Sequence, residues 1–175
     1  SKSLSEKRRD ELYDMLTGEG SGVSWSVSVA SLEDIDSLNI KVSTETAMAK
    51  AVSSLDPPPD LVLVDGSHIP AHLTVKAKAV VKGDLKCVCI AAASIIAKVT
   101  RDRIMQEFDQ KHPVYKFAKH KGYLTKEHWT AIRDHGPCEV HRDSFEPVKG
   151  WKAMGDKAPW NLGEGERELL SWRKK

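Results

Sequence analysis

No stretch of the 175-residue chain approaches the ~18 consecutive apolar residues that a membrane-spanning helix needs. The opening Ser1-Lys2-Ser3-Leu4 has no apolar signal-peptide core. Cysteine is scarce: Cys87, Cys89 and Cys138 make three, an odd and low count that reads as reduced thiols in an intracellular setting. Cys87 and Cys89 stand as C-x-C without the further ligands of a zinc site, so their spacing points to no metal role. Charge of one sign is also missing. Against 27 Lys and Arg stand 25 Asp and Glu, so the net charge of +2 names no partner and only local patterning can. There is no internal repeat at a period of 20–50 residues. There is no Gly-x-Ser-x-Gly elbow, Walker A loop, dinucleotide fingerprint or His-Glu-x-x-His pair. These absences exclude a membrane span, a disulfide scaffold, a solenoid and the commonest motif-bearing hydrolases and nucleotide-binding enzymes.

What is present alternates between helical and strand periods. A first helix is predicted from Ser3 to about Leu16, with Ser3 and Glu6 at capping-box spacing, and Gly18, Gly20 and Gly22 break it. Val23, Trp25, Val27 and Val29 alternate with serines, the plainest strand pattern in the chain. Ser31 and Asp34 open a second helix that runs through Ala47, Ala51 and Leu55 to the stop at Asp56-Pro57-Pro58-Pro59. Leu61 to Val64 is apolar on both faces and reads as a buried central strand ending in Asp65-Gly66. Ala79-Val80-Val81 is a further short strand, followed by Lys82-Gly83-Asp84. Helix is predicted from Ile90 to Gln110 and again from a cap at Thr125 to Gly136-Pro137. After Val148 the chain carries Trp151, Trp160 and Trp172 among glycines and charges. Residues 149–175 therefore read as an extension wrapped on the surface, or as a short terminal helix from about Glu164. Strands alternating with helices define an α/β domain.

Asp65 and Asp84 each follow a short apolar strand. Carboxylates at neighbouring strand ends converge above one sheet edge and suit a hard divalent cation; the competing reading is ordinary turn residues. The local charge pattern favours the cation. Between the two aspartates there is no acid, but Lys76, Lys78 and Lys82 are present. Residues 111–126 also lack acid and interleave Lys111, Lys116, Lys119, Lys121 and Lys126 with Tyr115, Phe117 and Tyr123. Lysines meet phosphates and aromatics meet bases or sugars, whereas a solvated basic loop needs neither. Most of the seven histidines read as surface or structural residues, His120 being the one expected nearest a phosphate. Asp102, between Arg101 and Arg103, is read as a helix ion-pair residue and is left out of the site.

Five ordered stretches carry a resemblance. They are Val64-Asp65-Gly66, Val81-Lys82-Gly83-Asp84, Ile90-Ala-Ala-Ala-Ser-Ile-Ile-Ala-Lys-Val-Thr-Arg-Asp102, Phe117-Ala-Lys-His-Lys-Gly-Tyr123-x-Thr-Lys-Glu-His128 and His141-Arg-x-Ser-Phe145. With the opening Ser1 to Arg8, they make residues 1–148 resemble the ribonuclease HII family (type 2 ribonuclease H) in order and spacing. The resemblance implies a ribonuclease H-like α/β fold, a mixed sheet flanked by helices. It implies a metal-dependent endonuclease that cuts the RNA strand of RNA–DNA hybrids and cuts at ribonucleotides embedded in DNA. The products would carry 5′-phosphate and 3′-hydroxyl ends. Four carboxylates would hold Mg²⁺ or Mn²⁺; Asp65 matches the third and Asp84 the fourth. Tyr123 matches the tyrosine that packs on the sugar beside the cut. Lys2, Lys119, Lys121 and Arg142 are the phosphate-contact candidates. The expected partner is a hybrid or a ribonucleotide-containing duplex, with no membrane, and the chain is expected to be monomeric.

The sequence also departs from that pattern. The family's Asp-Glu-Ala-Gly-Arg-Gly motif, which carries the first two carboxylates and reads the ribose 2′-hydroxyl, does not occur in it. Asp10-Glu11 is the only adjacent Asp-Glu pair and falls within the first helix pattern. The reading that follows is an N-terminally incomplete ribonuclease HII domain over 1–148, without the hairpin strands, and inactive on its own. Ser3 and Asp143 stand where the family often has a basic residue. The alternative is a catalytically dead nucleic-acid-binding module of the same fold. The expected compartment is the cytoplasm, or a plastid or mitochondrion if a transit segment precedes Ser1.

Overall fold

The computed structural model describes residues 3–170. The chain divides into two compact units, one up to Arg101 and one from Asp102 onward. Among the described residues no helix is long and apolar enough to cross a membrane.

The first unit opens with α1 (Glu6–Thr17). Its cap is Ser5, whose hydroxyl accepts from the Arg8 N–H, and not the expected Ser3. Three residues after Ser5 stands Arg8 in place of an acid, so only half of a capping box is made. The alternating segment that follows forms no strand: residues 22–31 have no regular secondary structure and pair with no ladder among the described residues, and Val23, Trp25 and Val29 are exposed. Alternation sets a backbone conformation, but a strand also needs a partner for its N–H and C=O groups.

Helix α2 (Leu32–Ser53) starts where the sequence places it, with Ser31 and Asp34 forming a reciprocal capping box. It is kinked at Asn39, whose φ of 70° lies outside the helical region. The kink is locally satisfied. Asn39 Oδ1 accepts from Lys41 N–H at 3.0 Å and Val42 N–H at 3.2 Å, acting as a cap for the second half. The buried Ser43 hydroxyl lies within hydrogen-bond distance of the carbonyls of Asp34 at 2.9 Å and Asn39 at 2.8 Å.

Strands β1 (Val62–Asp65) and β2 (Ala77–Val80) then pair in parallel, Val62 opposite Ala77 and Asp65 opposite Val80. β2 begins two residues earlier than the pattern indicates. Flanking bonds from Val62 N–H to Lys76 C=O and from Gly66 N–H to Val80 C=O extend the ladder at both ends. Val64 is the buried residue of β1. A turn of 3-10 helix at Gly83–Leu85 leads into α3 (Val88–Lys111), which buries Ile90, Ile95, Ile96 and Val99 within this unit.

The second unit has an aromatic core: Tyr115, Phe117, Ala131, Ile132 and Val148, with Phe108, Trp151 and Trp160 against it. It comprises the end of α3, the single turn α4 (Phe117–His120), α5 (Lys126–His135), and the short α6 (Val148–Lys152) and α7 (Glu164–Glu168). Thr125 caps α5, accepting from His128 N–H, and Gly136 ends it at a φ of 78°. A Cβ on Gly136 would lie 3.4 Å from the Trp160 ring, so glycine serves both the turn and a close approach. The buried Tyr115 hydroxyl donates to the Gly136 carbonyl at 2.7 Å. The tail is more than a surface wrap: Trp151 stacks edge-on to Trp129 at 5.2 Å and Trp160 to Trp151 at 6.2 Å. Asp102, read as a helix ion-pair residue, is buried.

Candidate active site and nucleic-acid contacts

In the first unit, β1 delivers Asp65 to its C-terminal end with the carboxylate exposed. Asp65 Oδ1 accepts the Gly83 N–H at 2.7 Å. Asp84 is the next residue along, in the 3-10 turn. One backbone amide therefore ties the carboxylate after β1 to the turn that carries the second carboxylate. The route is tight. Lys82 is left-handed, at a φ of 55°. Gly83 is buried, and a Cβ there would lie 2.5 Å from Ile90 Cδ1, 3.3 Å from Asp65 Oδ1 and 3.4 Å from Val80 Cβ. The remaining carboxylate oxygens are hard donors of the type that Mg²⁺ and Mn²⁺ take, so the pair fits two ligands of such a site.

In the second unit, the basic and aromatic candidates lie on one segment. Lys116, at a φ of 58°, and Lys121, at 52°, are left-handed and bracket α4. A non-glycine residue in this region costs about 1 kcal/mol, and such strain is concentrated at sites where a turn must present particular groups. Tyr123 follows, 66% exposed. Lys119 Nζ lies 2.7 Å from Glu127 Oε2, with Lys116 Nζ 4.0 Å from the same carboxylate. The Lys119 hydrogen bond is the main cause that holds the Glu127 carboxyl below the ordinary carboxylate range. The acid-free window in the sequence ends one residue short of this partner. The Arg142 guanidinium stacks 4.2 Å above the exposed Phe145 ring. Asp143, which replaces a basic residue of the family pattern, takes Lys152 as its partner at 2.7 Å. Lys2 lies outside the described residues.

His120, expected nearest a phosphate, does not lie on the surface. It is buried, its Nε2 lying against the Tyr115 carbonyl and its Nδ1 accepting from Gly122 N–H at 3.2 Å. It stacks on His128 with ring centroids 4.2 Å apart. His141 Nδ1 accepts from Cys138 N–H at 3.0 Å, which leaves the proton on its Nε2. That nitrogen is 3.0 Å from His128 Nε2, and His128 Nδ1 is 3.1 Å from the Tyr123 carbonyl. One tautomer set satisfies every bond: His141 donates to His128, and His128 donates to Tyr123. These roles require the neutral forms of His128 and His141. Burial first, then the neighbouring histidine, lowers His128 to about 4. Burial is also the first cause that lowers His141 to about 4. The chain of imidazoles fixes the backbone that presents Tyr123. The sequence gives no sign of it, because the three histidines are far apart along the chain.

The fold that places these groups is the ribonuclease H-like α/β class. A solved structure, the ribonuclease H2 from Pyrococcus horikoshii OT3, superposes with a TM-score of 0.66, covering 90% of this chain and 81% of that one at 23% identity. The sequence profile described as Ribonuclease HII matches residues 1–148. The Ribonuclease HII of Chromobacterium violaceum is 48% identical over 153 residues, 87% of this chain and 76% of that protein. The Ribonuclease HII of Vibrio vulnificus is 51% identical over 155 residues, 89% of this chain and 72% of that protein. The chain belongs to the ribonuclease HII family.

Proposed function

We propose that this chain carries two metal-binding carboxylates, Asp65 and Asp84, of an endonuclease acting on the RNA strand of RNA–DNA hybrids and at ribonucleotides embedded in DNA. The observation that supports the reading is the Asp65–Gly83 hydrogen bond, which ties the carboxylate after β1 to the turn whose next residue is Asp84. When bound there, Mg²⁺ or Mn²⁺ supplies Lewis-acid activation of water and charge stabilisation at the departing 3′ oxygen. Asp65 uses one oxygen to hold the turn and keeps the other for the ligand. Tyr123 offers an exposed ring for the sugar beside the cut, on a backbone held by His128. Lys119, Lys121 and Arg142 supply positive charge for phosphates. Products carry 5′-phosphate and 3′-hydroxyl ends.

With two of the family's four carboxylates, the 175 residues by themselves are proposed to bind hybrid without cutting it. The test has two arms. A duplex with one embedded ribonucleotide is offered to the purified chain with Mn²⁺, and salt-sensitive binding without cleavage is expected. The same chain is then fused behind a segment that supplies the family's Asp-Glu-Ala-Gly-Arg-Gly motif. Metal-dependent cleavage is expected, lost in Asp65→Asn and Asp84→Asn. Cleavage by the unfused chain overturns the inactivity; a folded fusion that never cuts, or cuts equally well with both substitutions, overturns the endonuclease reading in favour of a binding module.

A further inference from the structure

A second set of donors lies in the second unit and belongs to a different chemistry. A ring nitrogen of His112, Cys138 Sγ and a Glu139 carboxylate oxygen all lie within 4.8 Å of one another. His112 directly follows α3, its N–H bonded to the Phe108 carbonyl at 2.8 Å and its carbonyl accepting from Tyr115 N–H at 3.2 Å. Its position is therefore set by backbone. Its Nε2 is shut off from solvent and makes no hydrogen bond, although Glu139 Oε1 stands only 2.9 Å away. A buried imidazole nitrogen without a hydrogen-bonded partner calls for an explanation. A nitrogen and a carboxylate that face a common third body, and not each other along an N–H axis, supply one.

We infer that His112, Cys138 and Glu139 form a binding site for a thiophilic divalent cation, zinc being the ion that the mixed nitrogen, sulfur and oxygen donors fit. Three protein ligands and one open position make a tetrahedral zinc site. Bond lengths of about 2.0–2.3 Å put tetrahedral ligand atoms roughly 3.3–3.8 Å apart, so closing the site takes a shift of about 1 Å. Glu139 can make it, its side chain being 74% exposed. The exposed side leaves the fourth position to water. Charge also balances: thiolate, carboxylate and neutral imidazole together offset the two positive charges of the ion.

Binding displaces one proton. The thiol S–H breaks, an S–Zn bond forms, and the proton leaves to solvent; no electron moves. A ligating thiol must lose its proton, so occupancy increases with pH. The oxygen pair at Asp65 and Asp84 selects hard ions by the same logic that makes this sulfur-bearing set select softer ones.

Cobalt(II) is the probe, because it occupies zinc sites and reports a thiolate ligand by a near-ultraviolet charge-transfer band. The reduced full chain is titrated with Co²⁺, and then Zn²⁺ is added. A band that saturates at one equivalent and disappears on Zn²⁺ addition is expected. It should survive Cys87→Ser with Cys89→Ser and vanish in Cys138→Ser. His112→Gln and Glu139→Gln should weaken Co²⁺ binding by about tenfold or more. Glu139→Gln alters an exposed side chain and so separates ligand loss from misfolding. Absence of the band, its persistence in Cys138→Ser, its loss with Cys87 and Cys89, or unchanged affinity in Glu139→Gln overturns the site.

Discussion

Gly83→Ala is the smallest perturbation that reaches the carboxylate site. Gly83 does not need a positive φ, so the obstacle is space and not backbone conformation. The added methyl would stand 2.5 Å from Ile90 Cδ1 and 3.3 Å from Asp65 Oδ1. Ile90 is buried and packed, so it must change rotamer, or the turn must withdraw from β1 and stretch the 2.7 Å bond to Asp65. Overpacking of this kind costs about 1–3 kcal/mol, and weakening the amide–carboxylate bond adds to it. Urea unfolding measures the loss, and Mn²⁺ titration measures the effect on the site; both should weaken together. The clash can be relieved from its other side. Ile90→Val removes Cδ1 and by itself costs about 0.5–1.5 kcal/mol. In the double variant, the cost of Gly83→Ala should fall by about 1 kcal/mol or more, a coupling that only contacting residues show. Gly66→Ala is the control: its φ is 107° and nothing lies within 4 Å of a Cβ, so backbone strain alone acts. A Gly83→Ala chain with unchanged stability and Mn²⁺ affinity, or strictly additive effects with Ile90→Val, refutes the reasoning.

The remaining predictions concern the second unit. His128 is lowered to about 4, so its neutral form is the one the folded chain favours. Its contribution is full above the unfolded value near 6.5, is lost as pH falls from there to about 4, and amounts to at most ~3 kcal/mol. Urea unfolding of the parent and His128→Gln at intervals from pH 7 to 4 should show a shallower pH slope in the variant; equal slopes refute the assignment. Lys119→Ala breaks an exposed pair with Glu127 and should leave stability nearly unchanged in urea unfolding. It should also reduce the salt dependence of hybrid binding by about one phosphate contact, read from affinities over a salt series. Tyr115→Phe leaves the Gly136 carbonyl without its buried donor and should cost about 1–2 kcal/mol in thermal or urea unfolding.

How far the sequence carries the structure depends on whether an element is specified locally. Ser31 with Asp34, Thr125 with His128 N–H, and the Asp56-to-Pro59 stop are all chemistry within a few residues, and α2 and α5 begin where those signals stand. Asp65 was placed at a strand end because an apolar run and a turn dipeptide adjoin. The Val23–Val29 segment failed as a strand because alternation cannot report a partner. The kink at Asn39 is not legible because the helix period continues through it; the Asn39 cap and the Ser43 bonds to both sides repair it. His120 was misplaced because its neighbours Lys119 and Lys121 made it look like part of a basic surface. Its burial is set by stacking on His128, eight positions away.

Both units solve the same problem in the same way. A group that must face solvent and substrate has little packing of its own to hold it. Asp65 is exposed, and a buried glycine amide fixes one of its oxygens. Tyr123 is exposed, and a buried imidazole holds its carbonyl. In each case the flanking turn contains a left-handed lysine, Lys82 before Gly83 and Lys121 before Gly122. A lysine in that conformation opposes local preference by about 1 kcal/mol, so it persists only where surrounding bonds determine the turn. Relaxing the strain should therefore stabilise the fold, while loosening the presentation of the exposed group. Lys121→Gly separates the two: it removes the Cβ penalty and one positive charge, whereas Lys121→Ala removes the charge and keeps the penalty. If strain and presentation are linked as argued, the glycine variant unfolds at equal or higher urea than the alanine variant yet binds the hybrid no better. A glycine variant less stable than alanine shows that the turn does not store strain.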